Sequence, residues 1–258
     1  MTSLTSNPQI SLSQPHTAVV TVQNLVYAYS QQHPVLQEIS FSLQTGDRVA
    51  LMGATGSGKS TLLENLIGLK HPQSGKIWIN GIPILPNTLP QIRQQIGFSF
   101  QDPHDQLFMP TILEDITFGP LNYGISSIAA KDKAHQLLAN FGLESYAHRS
   151  AHELSGGQRR LAALAAILAL NPDILILDEP TNGLDPAWRR HLAQVLLELP
   201  VKVMLIASHD LQWLGRVTQR ALVLSNGKIQ IDSDIQPLLQ DGKTLDKLGL
   251  PVERTKAR

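Results

Sequence analysis

Apolar positions along the chain follow two periods. Alternation with β-branched and aromatic residues marks strands in AVVTVQNLVYAY (18–29) and ISFSL (39–43). DRVALMG (47–53) is a short apolar run ending in glycine. It leads through a glycine-rich loop into a helix expected over Ser60 to Leu69, with apolar register Leu62, Leu63, Leu66 and Ile67. KIWINGIPI (76–84) reads as a hairpin turning at Asn80-Gly81. From about Asp102 to Leu154 the pattern is mostly helical. Thr111 and Glu114 make a capping box ahead of Ile116 and Phe118. Ala130, Ala134, Leu137, Leu138 and Phe141 share a helix face that closes at Gly142. A further helix runs from Ser155 to Leu170 and stops at Asn171-Pro172. DILILDE (173–179) and VKVMLIASHD (201–210) are continuous apolar runs, as in parallel strands buried on both faces. Each ends in polar residues: Asp178-Glu179, and Ser208-His209-Asp210. Open α/β sheets gather their ligands at the carboxyl ends of strands, so chemistry is expected there.

Composition narrows the classes. A length of 258 residues suits one large domain or a domain with an inserted subdomain, and 42% hydrophobic residues support a substantial core. Lys+Arg and Asp+Glu each number 21 and no basic block occurs, so nucleic acid is not an expected partner. The absence of cysteine excludes disulfides and thiolate metal sites, and fits the cytosol. Residues 1–16 read as a flexible leader without signal-peptide features, and residues 253–258 as a tail. The longest apolar run, Leu161 to Leu170, is far short of the ~20 residues that span a bilayer. A soluble chain is expected, reaching a membrane only through a partner.

Candidate chemistry sits in four places. Gly53-Ala54-Thr55-Gly56-Ser57-Gly58-Lys59-Ser60 fits G-x-x-x-x-G-K-[ST] between a strand and a helix. Such a loop curls its N–H groups toward phosphate oxygens. Lys59 would neutralise the β- and γ-phosphates, and the Ser60 hydroxyl would bind Mg2+. Asp178 at a strand end is placed to hold the same cation, and Glu179 to polarise a water against the γ-phosphate. His209 ends the next strand, where a γ-phosphate contact competes with a purely structural role. Ser155, Gly156 and Gly157 of LSGGQ open a helix, so free N–H groups and the helix dipole make a second anion site.

In order, these motifs resemble those of the ABC-type ATPases over about residues 17–251. The phosphate loop GATGSGKST is followed by FSFQD with Gln101, LSGGQ, ILILDEP, TNGLD with Asp185, and ASHD with His209. The resemblance implies an α/β P-loop fold with a mostly parallel core sheet and an N-terminal antiparallel β subdomain. It also implies one ATPase domain over 17–252, with a helical subdomain inserted at about 102–171. Lys59, Gln101, Glu179 and His209 are the implied catalytic set, and Ser60, Gln101 and Asp178 the implied Mg2+ ligands. Residues 53–61, ending with Thr61, would hold ATP, with Tyr29 stacking on adenine and Tyr27 its close rival. Two such domains pair head to tail in this family, so Ser155, Gly156, Gly157 and Gln158 would serve the ATP of a second ATPase subunit, either another copy or a paralogue.

A narrower resemblance, to energy-coupling-factor and cobalt/nickel-type importer ATPases, lies in FQDPHDQLFMPTILEDITFGPLNYG (100–124), PTNGLDP and LDKLGLP. It implies a transmembrane transporter component as partner, a place on the cytoplasmic face of the cell membrane, and docking in the groove beside Gln101 to Phe118, including Asp105 and Phe108. Many relatives carry an arginine three residues after the signature glutamine; here Leu161 stands there, after Arg159 and Arg160, so a shifted ion pair is expected. Two rivals are a soluble ABC ATPase of translation or DNA repair and a module that binds ATP without hydrolysis. The first disagrees with a single domain and a short insertion, and the second with the presence of Glu179 and His209.

Overall fold

A computed structural model describes residues 18–30, 34–102 and 106–250. The expected leader, the tail and Asp105 lie outside these residues.

In chain order the elements are β1 (Val20–Ala28), β2 (Pro34–Leu43), β3 (Arg48–Met52), α1 (Lys59–Leu66), β4 (Ser74–Ile79), β5 (Ile82–Pro83), α2 (Leu89–Gln95) and β6 (Ile96–Ser99). There follow α3 (Ile112–Asn122), α4 (Ser127–Asn140), α5 (Gly156–Leu168), β7 (Ile174–Asp178), α6 (Pro186–Glu198), β8 (Val203–Ala207) and α7 (Leu211–Val217). The last are β9 (Arg220–Ser225), β10 (Lys228–Asp234), α8 (Ile235–Gln240) and α9 (Gly242–Lys247).

The strands form two sheets. An antiparallel one has the order β2-β1-β4-β5, and a six-stranded one the order β10-β9-β3-β8-β7-β6. In the second sheet β9, β3, β8, β7 and β6 run parallel, and only β10 pairs antiparallel. Its central strands are buried on both sides, which is why their apolar runs are unbroken. Alternate residues divide between two cores. Ala50, Met52, Leu175, Leu177, Met204 and Ile206 face α3–α7. Val49, Leu51, Ile174, Ile176, Leu205 and Ala207 face α1 and, beyond it, the antiparallel sheet. Helix α1 is thus held between sheets, with Leu62, Leu63 and Leu66 against Val22, Leu25 and Phe41. Strand β6 ends the six-stranded sheet and pairs only with β7.

The expected hairpin forms: Ile79 pairs with Ile82, and Asn80 and Gly81 take φ of 47° and 76°, the left-handed pair of a tight turn. The Thr111–Glu114 capping box opens α3. Two helix ends differ from expectation. Helix α1 stops at Leu66 rather than Leu69, because Gly68 turns left-handed (φ 65°); buried Ile67 had prolonged the apolar period past the true end. Helix α5 stops at Leu168, before left-handed Asn171. On α3, Ile116 is buried and Phe118 is 42% exposed.

Candidate functional site

The candidate residues hang from the carboxyl ends of parallel strands, so they share one edge of the sheet. After β3 the chain folds into the glycine loop. A Cβ on Gly53 would collide with the Ser57 side chain and the Leu224 carbonyl, and Gly56 and Gly58 hold left-handed φ of 79° and 104°; these positions need glycine for its backbone freedom and small size. Lys59 opens α1, and its Nζ donates to Gly53 O (2.8 Å) and Ala54 O (3.3 Å). The ammonium is thereby drawn back over the loop. Burial lowers its pKa, against the opposing pull of the Glu179 and Asp178 carboxylates.

Asp178 ends β7, 5% exposed. Burial raises its pKa; a hydrogen bond with Ser60 and the nearby Lys59 work the other way, while the Glu179 charge adds to the rise. Its Oδ1 is buried and has no hydrogen-bond partner, which is costly unless something satisfies it. Mg2+ takes hard oxygen ligands, so the Asp178 carboxylate beside the Ser60 hydroxyl fits that ion.

Glu179 follows with a left-handed φ of 47°, held by its N–H on Ala207 O at 2.8 Å. Such a backbone costs a non-glycine residue about 1–3 kcal/mol. It aims the side chain across to the end of β8, where Glu179 Oε2 accepts from the His209 N–H (3.3 Å) and lies 2.8 Å from His209 Nδ1. The carboxylate and imidazole form one unit. A cleft of about 600 Å³ is lined by Ser60, Glu64, Gln101, Arg160, Asp178 and Asn182, among others. Gln101 therefore shares this cleft with Ser60 and Asp178.

Tyr29 is 63% exposed beside the loop, its hydroxyl 3.0 Å from Thr61 Oγ1. Tyr27 packs edge-on to it and is partly buried. Of the two rings, Tyr29 is the more exposed, with the Lys70 ammonium 4.7 Å from its centroid over one face.

The signature residues do not line that cleft. Ser155 and Gln158 cap α5 reciprocally: Ser155 Oγ accepts from Gln158 N–H (3.3 Å), and Gln158 Oε1 from Ser155 N–H (2.9 Å). Gly156 and Gly157 are the first residues of α5, where N–H groups have no intrahelical partner. Asp185 caps α6, accepting from Ala187 N–H and Trp188 N–H at 2.8 and 2.9 Å.

Two contacts around the candidate site were not assigned by the sequence reading. Trp188 lies against Gly157, and a Cβ there would run into its indole. Gly157→Ala should therefore destabilise the protein by about 1–3 kcal/mol through overcrowding. Thermal unfolding measures this, and a second change, Trp188→Leu, should recover part of the loss. Arg160, only 5% exposed, donates to Phe100 O (3.1 Å) and Gln101 O (2.9 Å). The expected shifted ion pair is mainly a grip on carbonyls, with the Asp102 charge close by. Leu161, 1% exposed, packs in the core. The sequence signal for Arg160 was its place beside that unexpected leucine.

Comparison with known proteins adds a family setting. The ABC transporter family profile matches residues 36–182. The energy-coupling factor transporter ATP-binding protein EcfA2 of Caldanaerobacter subterraneus is 38% identical over 243 residues, covering 90% of this chain and 85% of that protein. The structure of cbiO1 from Clostridium perfringens, part of the cbiONQ transporter complex, superposes with TM-score 0.80 at 30% identity, over 92% of this chain and 97% of that one. The cassette MJ0796, solved as a dimer in a post-hydrolysis state with ADP and Pi, gives TM-score 0.75 at 28% identity, over 84% and 99%.

Proposed function

The chain belongs to the ABC transporter family of ATPases, and on that premise we propose that its ATP hydrolysis energises a membrane importer of the energy-coupling-factor or cobalt type. The observation that carries the chemistry is the Glu179–His209 pair at the sheet edge bearing the glycine loop. The loop N–H groups and Lys59 hold the phosphates, and Tyr29 offers adenine the ring face opposite Lys70. Glu179 takes a proton from the attacking water, and His209 fixes the carboxylate's aim while facing the γ-phosphate. Ser60, Asp178 and Gln101 would hold Mg2+, which when bound supplies charge neutralisation on the β- and γ-phosphates. Ser155, Gly156, Gly157 and Gln158, outside the cleft and on another helix, serve the ATP of a second subunit, and Asp185 lies with them at that interface. Helices α3–α5 form the inserted subdomain carrying the signature.

No helix among the described residues is long and apolar enough to cross a membrane. The docking surface for a transmembrane component is an aromatic patch. Phe108 and Phe118 are 62% and 42% exposed and stack edge-to-face at 5.0 Å, with Leu121 also exposed. Exposed apolar patches of this kind mark interaction sites. The Asp115 carboxylate accepts from Phe108 N–H and Met109 N–H, both at 2.9 Å, which fixes the presenting loop. Beside it an apolar groove is lined by Leu69, Phe98, Phe100, Ile167 and Leu170. The test is co-expression with the membrane proteins encoded beside its gene. The wild-type chain should pellet with membranes, and Phe108→Asp should reduce that recovery about tenfold while ATP binding survives. Unchanged recovery would place the contact elsewhere.

A further inference from the structure

One buried cation has a place in the structure that the ATPase chemistry above does not use. Arg160 lies two residues beyond the signature on α5. Its two terminal nitrogens donate to two successive carbonyls, Phe100 O and Gln101 O. Along an extended strand successive carbonyls point to opposite sides. Two neighbours converging on one guanidinium therefore require the chain to bend at Gln101, directly after β6 ends at Ser99. Arginine suits this geometry: its planar fork keeps charge at every working pH and presents several donors in fixed directions. The neighbouring Leu161 is turned into the core and offers no polar group. Asp102 adds attraction from the same loop.

We propose that Arg160 is a positioning residue that locks the backbone of Gln101 to the signature helix, so that Gln101 takes its place in the cleft only together with Ser155–Gln158. This rests on the reading of Gln101 as a cation and γ-phosphate contact. The chain's own cleft lies on one side of the fork, with Ser60 and Asp178. The signature that serves the second subunit's ATP opens the helix that carries the fork. Engagement at one nucleotide is thus carried by a single side chain to the other. The Phe100 and Gln101 carbonyls are 60 and 59 residues away in sequence; the Phe100 carbonyl also accepts from the Ser99 hydroxyl next to it, at a longer 3.4 Å.

Steady-state ATPase kinetics on the assembled transporter test it, using Arg160→Met, Gln101→Ala and the double variant. Methionine keeps an unbranched apolar stem and removes the fork. Arg160→Met should lower kcat about tenfold, leave KM for ATP within about twofold, and raise the Mg2+ concentration for half-maximal rate severalfold. Arg160→Lys, which restores the charge but reaches one carbonyl, should fall between, and it serves as the test should the methionine variant not fold. If Arg160 acts through Gln101, the double variant will be no slower than Gln101→Ala alone. Losses that multiply would show an independent structural role and overturn the proposal, as would wild-type kcat in both Arg160 variants. Either result leaves the Gln101 reading standing. Wild-type turnover in Gln101→Ala would overturn that reading and the proposal with it.

Discussion

Glu179→Gln should lower ATP turnover by roughly a hundredfold or more and leave ATP binding intact. The change keeps the side chain's size and an oxygen that can accept from the His209 N–H, which now lies 3.3 Å from Glu179 Oε2. What disappears is the charge and the capacity to take a proton from water. The left-handed backbone at Glu179 is fixed by its N–H on Ala207 O, so glutamine should occupy the same position. Binding should survive because Lys59 and the loop N–H groups, proposed above to hold the phosphates, are untouched. A turnover assay run beside a nucleotide-binding titration checks both halves. Near-normal turnover would remove Glu179 from the catalytic role.

Two inactive variants should restore one another's activity when mixed. Lys59→Ala disables a site through its loop, and Ser155→Arg through its signature. Each homodimer then has two defective sites. In a mixed dimer one site carries both lesions and the other carries neither. With statistical exchange and independent sites, roughly a quarter of wild-type ATPase activity should return. The geometry motivates this test, because the signature residues cap a helix outside the cleft that Ser60 and Asp178 line. If both motifs served one chain's ATP, every site in the mixture would stay broken. Differently tagged chains verify exchange. Absence of recovery in the exchanged mixture counts against shared sites between identical, independent chains, and adding a paralogue to each variant tests for a heterodimer.

Much of this architecture could be read from residue order, and the reason is local. A capping box such as Thr111–Glu114 is made by residues three apart, and the Asn80-Gly81 turn by neighbours. The parallel strands declared themselves because burial on both faces leaves no polar alternation. The strand-end residues Asp178, Glu179 and His209 followed from that assignment. Periodicity, however, reports which face is buried and not what covers it. Nothing near Gly157 in sequence announces the indole of Trp188, and nothing near Arg160 announces the carbonyls of Phe100 and Gln101. The left-handed φ of Glu179 is equally silent, since glutamate is a poor guide to that conformation. Helix ends went astray where burial outlasted the helix, at Ile67 beyond α1.

The position of β6 at the end of its sheet bears on how the nucleotide site can move. Strands β3, β7 and β8, which carry the loop, Asp178 with Glu179, and His209, each have a hydrogen-bonded neighbour on both sides. They form a rigid anvil, and opening any of them breaks two ladders. Strand β6 is four residues long and has one neighbour. It belongs to the low end of the local-opening spectrum, where amide protons exchange through small fluctuations rather than global unfolding. Gln101, two residues past its end, thus follows the strand that yields more easily than those carrying Asp178 and His209, like a hinged jaw facing a fixed one.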